Sequence, residues 1–138
     1  MGAAGVQLGT RFVATDECDA APAFKNMFVA AAEKDIVVIQ SPVGMPGRAL
    51  RNPFLDAVQN GERIPLKCPY HCIRTCDPEK SPYCIAIALA NARQGKFAYG
   101  FAFAGQNAHR VKKIVPVKTL MAELMHEYWV AGGSKRLN

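Results

Sequence analysis

The sequence predicts an α/β fold, on three observations. Residues 5–10 are a short apolar run that ends in Gly9-Thr10, as expected of a buried strand that stops at a turn. Residues 20–34 place apolar side chains along one helical face, and residues 36–39 are a β-branched run that favours a second strand.

The remaining chain reads as loops and further helices. Residues 41–47 hold two prolines and two glycines and predict a loop, and 61–82 contain several prolines without a clear period. The other predicted elements are a helix at 49–59, a helix at 83–94, a strand or extended segment at 97–104, a short helix at 105–113 and an amphipathic helix at 117–130. The predicted buried face of that last helix comprises Val117, Leu120, Met121, Leu124, Met125 and Tyr128.

The pair Gly9-Thr10 predicts a phosphate site at the end of the first strand. Ligands of parallel α/β proteins bind at the C-terminal ends of strands, where backbone N–H groups suit an anion. Gly9 has no Cβ and permits close approach, and the hydroxyl of Thr10 adds a donor. The alternative is a buried strand followed by a glycine turn, with no ligand.

Length and composition indicate one globular domain of ordinary size. The 138 residues carry a net charge of +6, but the basic residues are scattered and form no stripe with interleaved aromatics. This pattern argues against nucleic acid as a partner. The sequence shows no secretory signal and no apolar run of about 20 residues, so we expect a cytoplasmic protein that does not enter a membrane.

Four of the five cysteines lie close together at Cys68, Cys72, Cys76 and Cys84. In a cytoplasmic protein such clustering predicts metal or redox chemistry, and four thiolates suit an iron–sulfur cluster or a structural zinc. The spacing lacks the usual Cys-x-x-Cys pairs, and His71 is an alternate ligand. The other interpretations are buried thiols that pack as apolar groups and a redox-sensing pair.

Two further groups of polar residues have both a functional and a structural interpretation. Arg48 and Arg51 could hold an anionic substrate or a cofactor phosphate, or form ion pairs. Asn107, His109 and Arg110 are better explained by turn capping or packing than by catalysis, because no carboxylate lies near them in the sequence.

Several longer motifs together resemble the nitronate monooxygenase family, formerly called 2-nitropropane dioxygenases, which includes flavin-dependent enoyl-ACP reductases. The resemblance runs from Gly2 to about Leu124, with several motifs in the same order as in the family. The motifs are 2–12 with 14–18, then 41–44, 47–52, 68–72 and 101–105.

The resemblance implies the C-terminal portion of an FMN-binding TIM barrel. Residues 1–20 would be the last barrel strand and its FMN-phosphate loop, and 21–138 a mainly helical post-barrel lid segment that includes a Cys-rich loop at 61–84. Carried over from the family, Gly9 and Thr10 would hold the FMN phosphate, with Gln7 towards the flavin.

The resemblance also implies that the chemistry needs residues beyond this sequence. The family's catalytic histidine lies upstream of the matching segment, and a complete barrel takes about 250 residues. We therefore expect an incomplete barrel, the fragment of an oxidoreductase that oxidises nitronates or nitroalkanes with O2, or of an NAD(P)H-dependent relative. The alternatives are a small metal- or iron–sulfur-binding structural module and a non-functional remnant.

Overall fold

Five α-helices and one two-stranded sheet make up the computed structural model, which describes residues 4–64, 68, 70–74 and 76–132. The first two helices precede the sheet and the other three follow it. The elements are α1 (Thr10–Val13), α2 (Pro22–Ala30), β1 (Ile36–Gln40), β2 (Pro46–Leu50), α3 (Pro53–Gln59), α4 (Ile85–Arg93) and α5 (Val117–Val130).

The sheet is extended by a segment that lies much later in the chain. β1 and β2 pair antiparallel, with Ile36 opposite Leu50. On the other edge of β2, the Leu50 N–H donates to the Ala102 carbonyl at 3.0 Å, and the Ala104 N–H donates to the Arg48 carbonyl at 2.9 Å. Residues 101–104 therefore lie beside β2 almost as a third strand.

Two apolar clusters form because neighbouring residues of a strand point to opposite faces. Leu50 and Ala102 belong to the first cluster, while Ala49 and Phe101 belong to the second. The first buries Phe28, Ala31, Leu50, Ala102, Ala104 and Ala108. The second buries Ala49, Phe54, Leu55, Tyr83, Ala88 and Phe101.

Asn52 joins α3 to the segment that follows α4. Its Oδ1 accepts from the Leu55 N–H at 3.0 Å and caps α3, and its Nδ2 donates to the Gly100 carbonyl at 2.8 Å. Gly100 packs directly on α4, since a Cβ at this position would lie 1.9 Å from the Ala88 carbonyl oxygen. This contact requires glycine at position 100.

The segment after α1 is held to the rest of the chain by backbone bonds and one buried lysine. Thr15 and Val115 form a parallel bridge. The Lys25 ammonium, on α2, donates to the Thr15 carbonyl at 2.8 Å and to the Asp16 carbonyl at 3.2 Å. The segment that directly follows α1 is thereby placed against α2.

The predicted strand at 5–10 does not form. Residues 5–8 have no regular structure, Val6 is 83% exposed, and α1 begins at Thr10. A strand requires a neighbour for its backbone groups, and no described residue pairs with this segment.

The second half of the sheet was also not predicted. Residues 46–50, divided in the prediction between a loop and a helix, form β2, and the helix begins only at Pro53. The pairing with β1 overrides the local composition. The strand at 36–39 and the helices at 83–94 and 117–130 are confirmed with small changes of boundary, and only a short 3-10 turn, Ala108–Arg110, forms within 105–113.

The predicted apolar face of α5 is only partly buried. Leu120 is fully buried, whereas Met121 is 45% exposed and Tyr128 is 49% exposed. The described residues therefore bury Leu120, cover Leu124 and Met125 in part, and leave Met121 and Tyr128 exposed.

Candidate functional site

The three residues predicted to bind a cofactor line one cavity. Gln7, Gly9 and Thr10 contribute to a cleft of about 920 Å³ that is closed on its other side by residues of the 105–113 segment and by α5. The fold thus brings together the N-terminal segment and a second segment almost a hundred residues later.

The Thr10 hydroxyl is held in place by the second segment. Its oxygen accepts a hydrogen bond from the Gly105 N–H at 2.8 Å. A hydroxyl has one hydrogen to donate and two lone pairs, so this bond leaves the hydrogen of Thr10 available to an acceptor. Gly105 itself is close-packed here, because a Cβ at this position would lie 3.2 Å from the Thr10 Oγ1.

Gly9 leaves open space beside this hydroxyl. A Cβ built at Gly9 would meet no atom within 4 Å, and the backbone there has a φ of −104°, which any residue can adopt. Neither local strain nor close packing among the described residues explains a glycine at this position. Open space next to a hydroxyl donor fits an anionic group such as the phosphate of FMN.

The wall of the large cavity includes an ion-pair network. Arg11 Nη2 contacts Glu123 Oε2 at 3.1 Å, and Lys113 Nζ contacts Glu123 Oε1 at 2.8 Å. The hydrogen bond from Lys113, with a further contribution from Arg11, lowers the pKa of Glu123. Arg11 Nη1 is buried and has no hydrogen-bond partner among the described residues.

A second, smaller cavity shares part of this wall. It is a shallow depression, widely open to solvent, of about 530 Å³, and it is lined by Gly9, Thr10, Val13, Arg48, Phe103, Ala104 and Gly105. Of the two arginines considered from the sequence, Arg48 faces this cavity, whereas Arg51 pairs with Asp56 at 2.8 Å. The structural interpretation therefore holds for Arg51, and Arg48 lies at the candidate phosphate site.

The four clustered cysteines line a separate cavity of about 140 Å³, together with His71 and Tyr83. Burial raises the pKa of Tyr83 to about 12, so its hydroxyl stays protonated at neutral pH. Cys68, Cys72, Cys76 and Cys84 are all free thiols, and Cys72 is exposed.

No metal centre is seen among the described residues around this cavity, and the predicted metal ligands remain a prediction. In the part of the chain that the structure describes, no three His, Cys, Asp or Glu side chains are arranged to hold an ion. Thiolate ligands must converge on one point at about 2.3 Å from a zinc ion. Instead, Cys68 Sγ accepts from the His71 N–H at 3.3 Å, and Cys76 Sγ lies 3.7 Å from Ser81 Oγ. Positions 65–67, 69 and 75 of the Cys-rich loop lie outside the described residues.

None of the three histidines lines the cavity around Gly9. His71 lines the thiol cavity, His109 lies in a 3-10 turn and His126 is exposed on α5. The described residues thus provide no histidine at the candidate phosphate site.

Sequence reasoning missed two participants in the site. Arg11 directly follows Thr10 in the sequence, and this adjacency could have indicated that Arg11 belongs to the site. Gly105 ends one of the motifs that carry the resemblance, but only the fold shows that its N–H meets Thr10.

Comparison with known proteins places this arrangement in a family. The sequence profile of the family described as "Nitronate monooxygenase" matches residues 1–127. The chain belongs to the nitronate monooxygenase family. The resemblance read from the motifs is thereby confirmed, and with it an oxidoreductase family.

Curated relatives in the nitronate monooxygenase family are longer than this chain. A Mycobacterium tuberculosis protein named as a monooxygenase, Rv1533, is 27% identical over 131 residues, which are 93% of this chain and 34% of that protein. A Staphylococcus saprophyticus protein named as a nitronate monooxygenase is 38% identical over 55 residues, 40% of this chain and 16% of that protein. The chain spans about a third of the first of these relatives.

Solved structures confirm an α/β fold similar to that of FabK, a TIM-barrel enzyme. FabK from Thermotoga maritima superposes with a TM-score of 0.74 at 30% identity, covering 94% of this chain and 38% of FabK. Among the described residues, every helix is too short or too polar to cross a bilayer.

Proposed function

We propose that this chain provides the FMN-phosphate site of a flavin-dependent oxidoreductase of the nitronate monooxygenase family. The observation that carries the proposal is the position of Thr10. Its hydroxyl is fixed by the Gly105 N–H and keeps a hydrogen to donate, beside open space at Gly9. Membership in a family that generally uses FMN supports the same assignment.

Three residues bind or orient the cofactor in this proposal. Gly9 allows the phosphate to approach the backbone, Thr10 donates its hydroxyl hydrogen to a phosphate oxygen, and Gln7 lies towards the flavin ring. FMN supplies the redox chemistry when bound, and the protein orients it and sets the electrostatics around it. Arg11 adds a positive charge in the same cavity wall.

For the substrate, we propose nitronates or nitroalkanes, oxidised with O2. The family match and the name of the Staphylococcus saprophyticus relative support this class. The second candidate is an NAD(P)H-dependent reduction of the enoyl-reductase type, which the similarity to FabK favours. Steady-state assays that compare nitronate-dependent O2 consumption with NAD(P)H oxidation distinguish the two.

Flavin binding tests the site directly. We expect the purified chain to bind FMN more tightly than riboflavin, which lacks the phosphate, by fluorescence titration. Thr10→Val should lower FMN affinity by about tenfold, because a hydrogen bond to a charged group is lost. Gly9→Val should abolish FMN binding, because its side chain would fill the phosphate position.

The matched control is Thr119→Val, the same change at an exposed position on α5. It should leave both affinities unchanged. Equal binding of FMN and riboflavin by the unaltered chain, or FMN affinity retained in Gly9→Val, would contradict the proposed site.

A further inference from the structure

The smaller cavity beside Thr10 contains one charged side chain. Of the residues that line it, only Arg48 carries a charge, and no carboxylate is among them. An arginine that faces a cavity without a carboxylate is suited to bind an anion through its planar set of donors.

The backbone of Arg48 is held in place on both edges of β2. It pairs with Val38 across the sheet, and its carbonyl accepts from the Ala104 N–H at 2.9 Å on the other edge of β2. Its guanidinium is exposed and makes no ion pair with any described residue. The donors of Arg48 are therefore uncommitted, whereas the chain that carries them is held on both sides.

Arg51, three residues after Arg48, differs from it in having an ion-pair partner. Arg51 has a carboxylate partner, with its Nε 2.8 Å from the Asp56 Oδ1. Its charge is thus already compensated. Arg48 differs in that it shares its cavity with Gly9, Thr10 and Gly105.

We propose that Arg48 is a second binding residue for a phosphate monoester group and holds it from the opposite side to Gln7. Gly9, Thr10 and Gly105 line both cavities, so the two cavities adjoin at these residues, with Arg48 on one side and Gln7 on the other. A phosphate bound at this junction would accept hydrogen bonds from the Thr10 hydroxyl and from the Arg48 guanidinium. The inference rests on the proposed FMN site and adds the residue that selects for a charged ligand.

Binding of FMN, riboflavin and inorganic phosphate to the purified chain tests this role. Arg48→Gln should lower FMN affinity by about tenfold or more and leave riboflavin affinity unchanged. Arg48→Lys should retain part of the preference for FMN, because the charge remains while the planar donor set is lost. Arg51→Gln is the matched control and should change neither affinity.

The outcomes separate this inference from the proposed function. Equal losses of FMN and riboflavin affinity in Arg48→Gln would indicate a structural role and overturn the inference. The inference would also be overturned if Arg48→Gln bound FMN as tightly as the unaltered chain while Thr10→Val bound it more weakly. The proposed function would then stand.

If the unaltered chain does not bind FMN, the proposed function fails, and inorganic phosphate decides the role of Arg48. Phosphate binding detected by calorimetry and abolished in Arg48→Gln would support an anion site by itself. No phosphate binding by the unaltered chain would overturn the inference as well.

Discussion

Gly100 lies where two parts of the chain meet without room for a side chain. Its backbone accepts a hydrogen bond from Asn52 and presses against the carbonyl of Ala88 on α4. The φ of Gly100 is −172°, an extended conformation open to any residue, so space alone excludes a larger side chain. A similar limit applies at Gly47, where a Cβ would lie 2.5 Å from the Phe103 ring.

We expect Gly100→Ala to destabilise the chain by about 2 kcal/mol or more, because α4 or the 101–104 segment must shift to admit the methyl group. Urea denaturation measures the change. Gly5→Ala is the control, since a Cβ there meets nothing within 4 Å, and it should leave stability unchanged. Equal stabilities of the two variants would show that the contact at Ala88 relaxes at no cost.

At the scale of elements, α5 is anchored as much by charge as by apolar packing. Leu120 is its one buried residue among those described, and the Glu17 carboxylate accepts from the Val117 N–H at 2.8 Å at the helix start. Further along, Glu123 pairs with Arg11 and Lys113. These contacts join α5 to the segments that line the candidate site.

The lowered pKa of Glu123 predicts an acid-sensitive contribution to stability. Folding favours the ionised carboxylate, so the contribution is complete above the ordinary carboxyl pKa of 4.5 and is lost as pH falls through the lowered value. We expect Glu123→Gln to be less stable than the unaltered chain at neutral pH, with the difference shrinking in acid. Denaturation midpoints between roughly pH 3 and pH 7 measure it.

Glu127→Gln serves as the control for that series. Glu127 is exposed on the same helix and forms no ion pair with any described residue. Its substitution should reproduce the pH dependence of the unaltered chain. A Glu123→Gln curve that runs parallel to the unaltered chain at every pH would contradict the assignment.

The elements also show which parts of the fold could be predicted from nearby residues alone. β1 was predictable because its β-branched residues favour a strand by themselves, and α5 because its period is clear over 14 residues. β2 contains Pro46 and Gly47 and becomes a strand only by pairing on both edges. In the same way, the motif alone predicts Gly9-Thr10 as a candidate site, whereas the approach of Arg48 and Gly105 to it depends on contacts across the whole chain.

At the scale of the whole molecule, the two apolar clusters share the same strands. In each of β1, β2 and 101–104, one pair of neighbouring residues divides between the two clusters, so neither cluster can lose its strands without disturbing the other. This arrangement favours a single cooperative unit rather than two independent ones.

A matched pair of core truncations tests this cooperativity. Leu50→Ala in the first cluster and Leu55→Ala in the second should each lower the free energy of unfolding by about 2–5 kcal/mol. Circular dichroism and the fluorescence of Trp129, the one tryptophan of the sequence, should report the same transition. Two transitions, with each substitution shifting only one of them, would show that the clusters unfold separately.

The pairing of 101–104 with β2 has a consequence for how the chain can vary in length. The bonds from Leu50 to Ala102 and from Ala104 to Arg48 close a loop that leaves the sheet after β2 and returns to it. Lengthening the stretch between α3 and α4 would enlarge that loop without moving either end. Because closure entropy grows slowly, by about 0.6 kcal/mol for each doubling of loop length, the Cys-rich stretch can be lengthened while the candidate cleft around Thr10 keeps its shape.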